Sequence, residues 1–320
     1  MERSLIVVFP GLPDRFAARI RETAEHCGFT CRIFEHTSES LPFLENAEVI
    51  LSNDPALSRN APNLRWICST FAGADAFMAP DAFANPAALL SNSSGAYGLT
   101  ISEHVIMVLL EILRRQPEYQ AHMRNREWVR RLPVRSIHGS RVTLLGTGNI
   151  GQETLRKLEG FGPAEVVGVN RSGRNPGGIF SRVLKSTELN RILPETDILV
   201  ISLPGTRETR HLLSAPLLKL LPDDAVIVNV GRGSVVDQEA LEKELRSGRL
   251  FAALDVFEQE PVPPDSTLWT CPRLVLTPHV SGDLSLPYTV EKVVSLFLED
   301  FENYCAGRPL LRLVDREAGY

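Results

Sequence analysis

The stretch Val142-Thr143-Leu144-Leu145-Gly146-Thr147-Gly148-Asn149-Ile150-Gly151 is a short apolar run followed by G-x-G-x-x-G, and a helical pattern continues from it to about Phe161. Four apolar-rich residues before a glycine turn read as a strand, so the motif sits between a strand and a helix. In that context it is a dinucleotide fingerprint rather than an ordinary glycine turn. Gly146 permits the tight turn, Gly148 lets the backbone approach a pyrophosphate, and Gly151 lets helix and strand pack closely. Thr147, Asn149 and Ile150 complete the turn, and the helix N-terminus offers its N–H groups to the diphosphate.

The next strand, Glu165 to Val169, runs into Asn170-Arg171-Ser172-Gly173-Arg174. A site for NAD would place Asp or Glu here to bind the ribose 2′ hydroxyl. No acidic residue is present. Arg171 and Arg174 can instead form charge-assisted bonds to a 2′ phosphate, helped by the Ser172 hydroxyl, which favours NADP over NAD. The competing reading is that both arginines are solvated loop charges.

Strand and helix patterns alternate on both sides of this unit, so the class is α/β with parallel sheets. Upstream, strands are predicted at Leu5 to Phe9, Thr30 to Phe34, Glu48 to Leu51, Leu64 to Cys68 and Leu89 to Asn92. Thr100 to Arg115 predicts a long helix, apolar on all sides and therefore a buried connector. Downstream strands are predicted at Ile198 to Ser202, Ala225 to Asn229, Phe251 to Leu254 and Leu274 to Leu276, before an amphipathic helix from Tyr288 to Tyr304.

A chain of 320 residues is long enough for two such domains. A net charge of −5, with Lys and Arg only in short clusters, gives no footprint for nucleic acid or an anionic membrane. The first apolar run is too short for a signal peptide or a membrane span. Cys27, Cys31, Cys68, Cys271 and Cys305 are odd in number and form no C-x-x-C pair, as expected of reduced structural thiols in the cytoplasm.

Three further segments fall at strand ends, where open α/β sheets hold their ligands. They are Asn229-Val230-Gly231-Arg232-Gly233-Ser234, Leu254-Asp255-Val256-Phe257-Glu258-Gln259-Glu260-Pro261 and Thr277-Pro278-His279-Val280-Ser281-Gly282. With the glycine motif they resemble the D-isomer-specific 2-hydroxyacid dehydrogenases, whose fingerprint has Arg, Glu and His in these contexts and this order. Phe71-Ala72-Gly73-Ala74-Asp75 looks like that family's substrate-carboxylate loop. Leu268-Trp269-Thr270-Cys271-Pro272-Arg273 and the C-terminal Val314 to Tyr320 resemble the bacterial glyoxylate/hydroxypyruvate reductases of the A type.

The resemblance implies two Rossmann-like or flavodoxin-like domains with an interdomain cleft. Residues 1–98 with 288–320 would form the substrate-binding domain and residues 99–287 the dinucleotide-binding domain. It also implies a homodimer formed through the latter. Reduction of a small 2-oxo acid needs a group for the substrate carboxylate and the developing alkoxide, and a proton donor. Arg232 suits the first task by its planar fork and fixed charge, and Gly231 and Gly233 would let the backbone pass close to the nicotinamide. His279 suits the second, since imidazole titrates near neutrality, with Glu260 fixing its tautomer.

Glu258 competes for that role; the family motif places its carboxylate directly before the proline, which selects Glu260 and leaves Glu258 as a solvated charge. By the same resemblance Ala72 and Gly73 offer backbone amides to the substrate carboxylate, and Asp255 contacts the nicotinamide carboxamide. Leu203, Thr209 and Val230 surround the adenosine and ribose. The other histidines, His104 and His211 among them, have no ligand-spaced partner, and no metal site is expected. Trp128 is expected near the dimer interface. Relatives acting as nucleotide-sensing corepressors form a different class, against which the retained Arg, Glu and His argue. Phosphoglycerate and formate dehydrogenases are the other enzymes to consider.

Overall fold

The computed structural model describes residues 3–319. Contacts group them into two units: the described residues up to Tyr97 with those from Asp283 onward, and Gly98–Gly282.

In the first unit β1 (Arg3–Val8), β2 (Phe29–Phe34), β3 (Ala47–Leu51), β4 (Trp66–Cys68) and β5 (Leu89–Ser91) form a parallel sheet in the order β2-β1-β3-β4-β5. This is the flavodoxin-like order. Leu5, Ile6 and Val7 are fully buried on successive residues, as expected of a strand covered on both faces. Helix α1 (Asp14–His26) buries Phe16, Ala17, Ile20 and Ala24, one stripe at helical spacing.

The chain re-enters this unit at Asp283, ahead of the boundary expected at 288, and its last long helix runs from Pro287 to Cys305. Phe297 of that helix stacks on Trp66 at 5.5 Å, and the Trp66 indole N–H donates to Ser91 Oγ at 2.9 Å. The segment after it then covers the edge strand β5. Val314 N–H donates to Leu90 O at 2.8 Å, and Arg312 is anchored on buried Asp300 at 3.1 Å. Covering the edge removes a row of unpaired backbone groups.

The second unit contains β6 (Arg141–Leu145), β7 (Glu165–Asn170), β8 (Arg182–Lys185), β9 (Ile198–Ile201), β10 (Val226–Asn229), β11 (Phe251–Leu254) and β12 (Leu274–Leu276). Their order is β12-β11-β10-β9-β6-β7-β8, parallel throughout. The direction of winding reverses between β6 and β9, the switch point at which doubly wound sheets bind nucleotides. The sequence reading missed β8, an edge strand of sequence RVLK whose residues are all at least partly exposed. An edge strand needs no continuous apolar run, so there was no such signal to read.

Helix α2 (Gly98–Leu113) corrects another expectation. It buries a stripe that includes Ile101, Val105, Val108, Leu109 and Ile112, but Met107 is 45% and Leu110 37% exposed. It is not covered on all sides. Helix α3 (Gln116–Arg124) follows with no buried residue, and Trp128 beyond it is 80% exposed. Among the described residues no helix is long and apolar enough to cross a membrane.

Candidate active site

The glycine motif lies at the end of β6 and opens α4 (Asn149–Glu159), with Gly148 at the N-cap. A Cβ on Gly151 would overlap the carbonyl oxygen of Gly146, so close helix–strand packing demands glycine there. At Gly148 a Cβ would meet nothing within 4 Å, which leaves the backbone open to an approaching group. Asn149 is exposed and Ile150 half-buried, while Thr147 is buried and its hydroxyl accepts from Asn170 Nδ2 at 2.7 Å.

Asn170 organises the loop after β7. Its Nδ2 also donates to Arg174 O at 2.7 Å, and its Oδ1 accepts from Gly173 N at 2.6 Å and Ser172 Oγ at 3.3 Å. It therefore shapes the turn that presents Arg171, Ser172 and Arg174, all exposed. Sequence reading missed a neighbour, Glu208, in the loop after β9. Hydrogen bonds from its own backbone and from Thr206, and behind them the charges of Arg171 and Arg207, hold its carboxyl below the usual range. Both arginines thus lie within electrostatic reach of Glu208.

On the same loop Thr209 Oγ1 donates to Pro204 O at 2.7 Å and accepts from Thr206 N at 2.8 Å, so its hydroxyl closes the turn. Leu203 is half-buried against the apolar core, and Val230, at the end of β10, is buried.

Arg232 follows β10. Its Nη1 donates to Gly231 O at 2.8 Å, and Asn229, itself buried, accepts from Gly231 N and donates to Arg232 O at 2.9 Å. Asn229 was not singled out from sequence, yet it shapes this turn. Packing also demands the glycines flanking Arg232: a Cβ at Gly233 would overlap the Phe257 backbone, and one at Gly231 would press on Leu203. Their smallness serves close packing of neighbouring strand ends within the protein.

Glu260 and His279 meet across 19 residues. His279 Nδ1 lies 2.7 Å from Glu260 Oε2, and the other carboxylate oxygen accepts from Phe257 N at 2.8 Å. His279 has a left-handed backbone, φ 54°. Its N–H is held by Asp255 O at 2.9 Å, which helps secure a conformation that side chains seldom adopt.

Residues 106–281, more than half of the chain, match the family model for the NAD binding domain of D-isomer specific 2-hydroxyacid dehydrogenases. The chain belongs to this family. A glyoxylate/hydroxypyruvate reductase B of Erwinia tasmaniensis is 32% identical over 87% of this chain and 88% of its own. A glyoxylate/hydroxypyruvate reductase A of Salmonella newport is 33% identical over 70% of each. The solved NADPH-dependent glyoxylate/hydroxypyruvate reductase of Sinorhizobium meliloti, in complex with NADP and sulfate, is 28% identical, with a TM-score of 0.83 over 100% of both chains.

Two details of this dehydrogenase add to what the sequence shows. Glu258 is exposed, as expected of a solvated charge, yet partnered: Oε1 accepts from Gln238 N at 3.0 Å, at the start of α5 (Gln238–Arg246), and lies 3.0 Å from His211 Nε2. The strand-end loops fold back onto that helix, so His211 acquires a partner distant in sequence. Asp255 is 1% exposed. Burial alone would raise its carboxyl, but hydrogen bonds from the Ser281 and Thr277 hydroxyls and the Ser281 and Val280 amides hold it below the ordinary value. It thereby grips the loop that carries His279.

In the first unit Ala72 and Gly73 occupy the loop after β4, both half-buried, and Asn92 Nδ2 donates to Ala72 O at 2.8 Å. The five cysteines are free, and burial pushes Cys31 up to about 11 and Cys68 up to about 12.

Proposed function

We propose that this dehydrogenase reduces a small 2-oxo acid, glyoxylate or hydroxypyruvate, to the 2-hydroxy acid with NADPH in preference to NADH, and that Arg232, Glu260 and His279 carry the chemistry. The observation that carries the reading is the 2.7 Å pair of His279 Nδ1 and Glu260 Oε2. A carboxylate on Nδ1 orients the ring, which leaves Nε2 to exchange a proton with the substrate oxygen.

The bound cofactor supplies a hydride to the substrate C2. His279 gives the carbonyl oxygen its proton, and Arg232 holds the substrate and stabilises the negative charge that grows on that oxygen. Ala72 and Gly73 take the substrate carboxylate on their amides. Gly146 to Gly151 seat the diphosphate, and the open backbone at Gly148 supports this. Arg171, Ser172 and Arg174 take the 2′ phosphate, with Arg207 adding charge nearby. The name of the NADPH-dependent Sinorhizobium relative supports the same cofactor. Leu203, Thr209 and Val230 line the adenosine and ribose, and Asp255 approaches the carboxamide.

The protein works as a homodimer in the cytoplasm. The uncovered Met107 and Leu110 on α2 and the exposed Trp128 support the assembly, and the free thiols support the compartment. The deciding experiment is steady-state turnover of a panel of 2-oxo acids with NADPH and with NADH. A bulky aromatic oxo acid with the highest kcat/KM would refute the substrate class.

A further inference from the structure

A chain of hydrogen bonds runs from the connector helix α2 to the loop that carries His279. His104 Nε2, on α2, lies 3.3 Å from Thr277 Oγ1, across 173 residues. The Thr277 hydroxyl donates to Asp255 Oδ1 at 2.6 Å. The same Asp255 carboxylate accepts from Val280 N at 2.9 Å and Ser281 N at 3.0 Å. One helical turn before His104, Thr100 Oγ1 reaches Ser281 O at 3.5 Å.

A hydroxyl has one proton to give, and Thr277 gives it to Asp255, so the bond from His104 must be donated by Nε2–H. Burial holds the His104 imidazole below its ordinary value, against the opposing charges of Asp255 and Glu111. A neutral ring with its proton on Nε2 meets that requirement. No bond in the chain involves the His279 ring itself.

We propose that His104 is a positioning residue: through Thr277 it fixes the rotamer of Asp255 and so the backbone of residues 279–281, holding His279 where it meets Glu260. This rests on the reading of His279 as the proton donor. His104 and Thr277 are half-buried, but Asp255 and Ser281, where the chain ends, are buried, so losing a bond there leaves a polar group unsatisfied rather than solvated.

The test compares His104→Leu, which removes the donor, with His104→Gln, whose amide nitrogen restores one at similar reach. Two readouts are taken on the full chain: amide hydrogen exchange at Val280 and Ser281, and the pH profile of kcat with NADPH and glyoxylate. His104→Leu should speed exchange at both amides, lower kcat about tenfold with KM little changed, and shift the profile. His104→Gln should recover most of each loss.

Unchanged exchange in His104→Leu, or Gln behaving no better than Leu, overturns the proposal. If His104→Leu does not fold, Thr277→Val against Thr277→Ser asks the same question of the next link, with Val expected to free the two amides and Ser to hold them. Equal exchange in those two variants also overturns it. His279→Ala, run alongside, separates the two readings: its retained turnover would sink the proton-donor role whatever the exchange data show.

Discussion

His279 and Glu260 share a 2.7 Å contact through Nδ1 and Oε2, while Glu260 Oε1 is held by the Phe257 backbone at 2.8 Å. Because the carboxylate is tethered at its other oxygen, the ring it touches has its orientation set before any substrate arrives. Glu258, two residues earlier, is tied to α5 and to His211 instead.

Removing His279, the proposed proton donor, should be the most damaging single change at this site. His279→Ala should lower kcat for 2-oxo acid reduction by roughly 100-fold to 10,000-fold, with NADPH binding unchanged in a fluorescence titration. Arg232→Ala should raise KM and lower kcat together, because its proposed role is on both substrate and transition state.

The two glutamates should separate cleanly. Glu260→Gln removes the carboxylate that holds the His279 ring, so kcat should fall at least about tenfold with KM little changed. Glu258→Gln should leave kcat in place and cost about 1 kcal/mol of stability or less, as loss of a helix-start contact does. A kcat lowered by Glu258→Gln alone would reverse the assignment.

Cofactor choice should depend on the loop shaped by Asn170. Arg171→Ala should weaken NADPH binding several-fold and leave NADH nearly unchanged, measured by Kd for each. Equal losses for both cofactors would refute a 2′ phosphate contact.

Acidification should act through His104 and Asp255 in separate windows. Both are held below their ordinary values. For His104 the stabilisation is present above about pH 6.5, the unfolded value, and is lost as pH falls through the lower folded one. Thermal melts from pH 8 to 5 should therefore fall less steeply for His104→Gln than for the wild type. The Asp255 contribution is present above about pH 4 and fails only in stronger acid.

Assembly should fail when the uncovered face of α2 is charged. Leu110→Glu should shift the sedimenting species towards the 35.5 kDa of one chain. A wild type that already sediments as a monomer at micromolar concentration would contradict the homodimer.

Much of the fold was legible because each buried strand is a continuous apolar run bounded by turn residues, as at Ile198–Ile201 and Phe251–Leu254. The glycine motif was legible for a related reason: its spacing is dictated by local packing, in which Gly151 touches Gly146 and little else decides it. Edge strand β8 was not, since its half-exposed residues carry no such run. The bare face of α2 was also hidden, because apolar composition does not say whether this chain supplies the cover.

The sequence by itself determined the α/β class, the nucleotide motif and the three residue types at the strand ends, all of which depend on neighbours within a few positions. Only the tertiary structure decided the partners that the resemblance did not imply: Glu258 for His211, Asn229 for the Arg232 turn, and Thr277 for His104. Most of these bonds join strand ends and loops that lie far apart in the chain. Their existence depends on where a parallel sheet brings its carboxyl ends together, and no local pattern encodes that convergence.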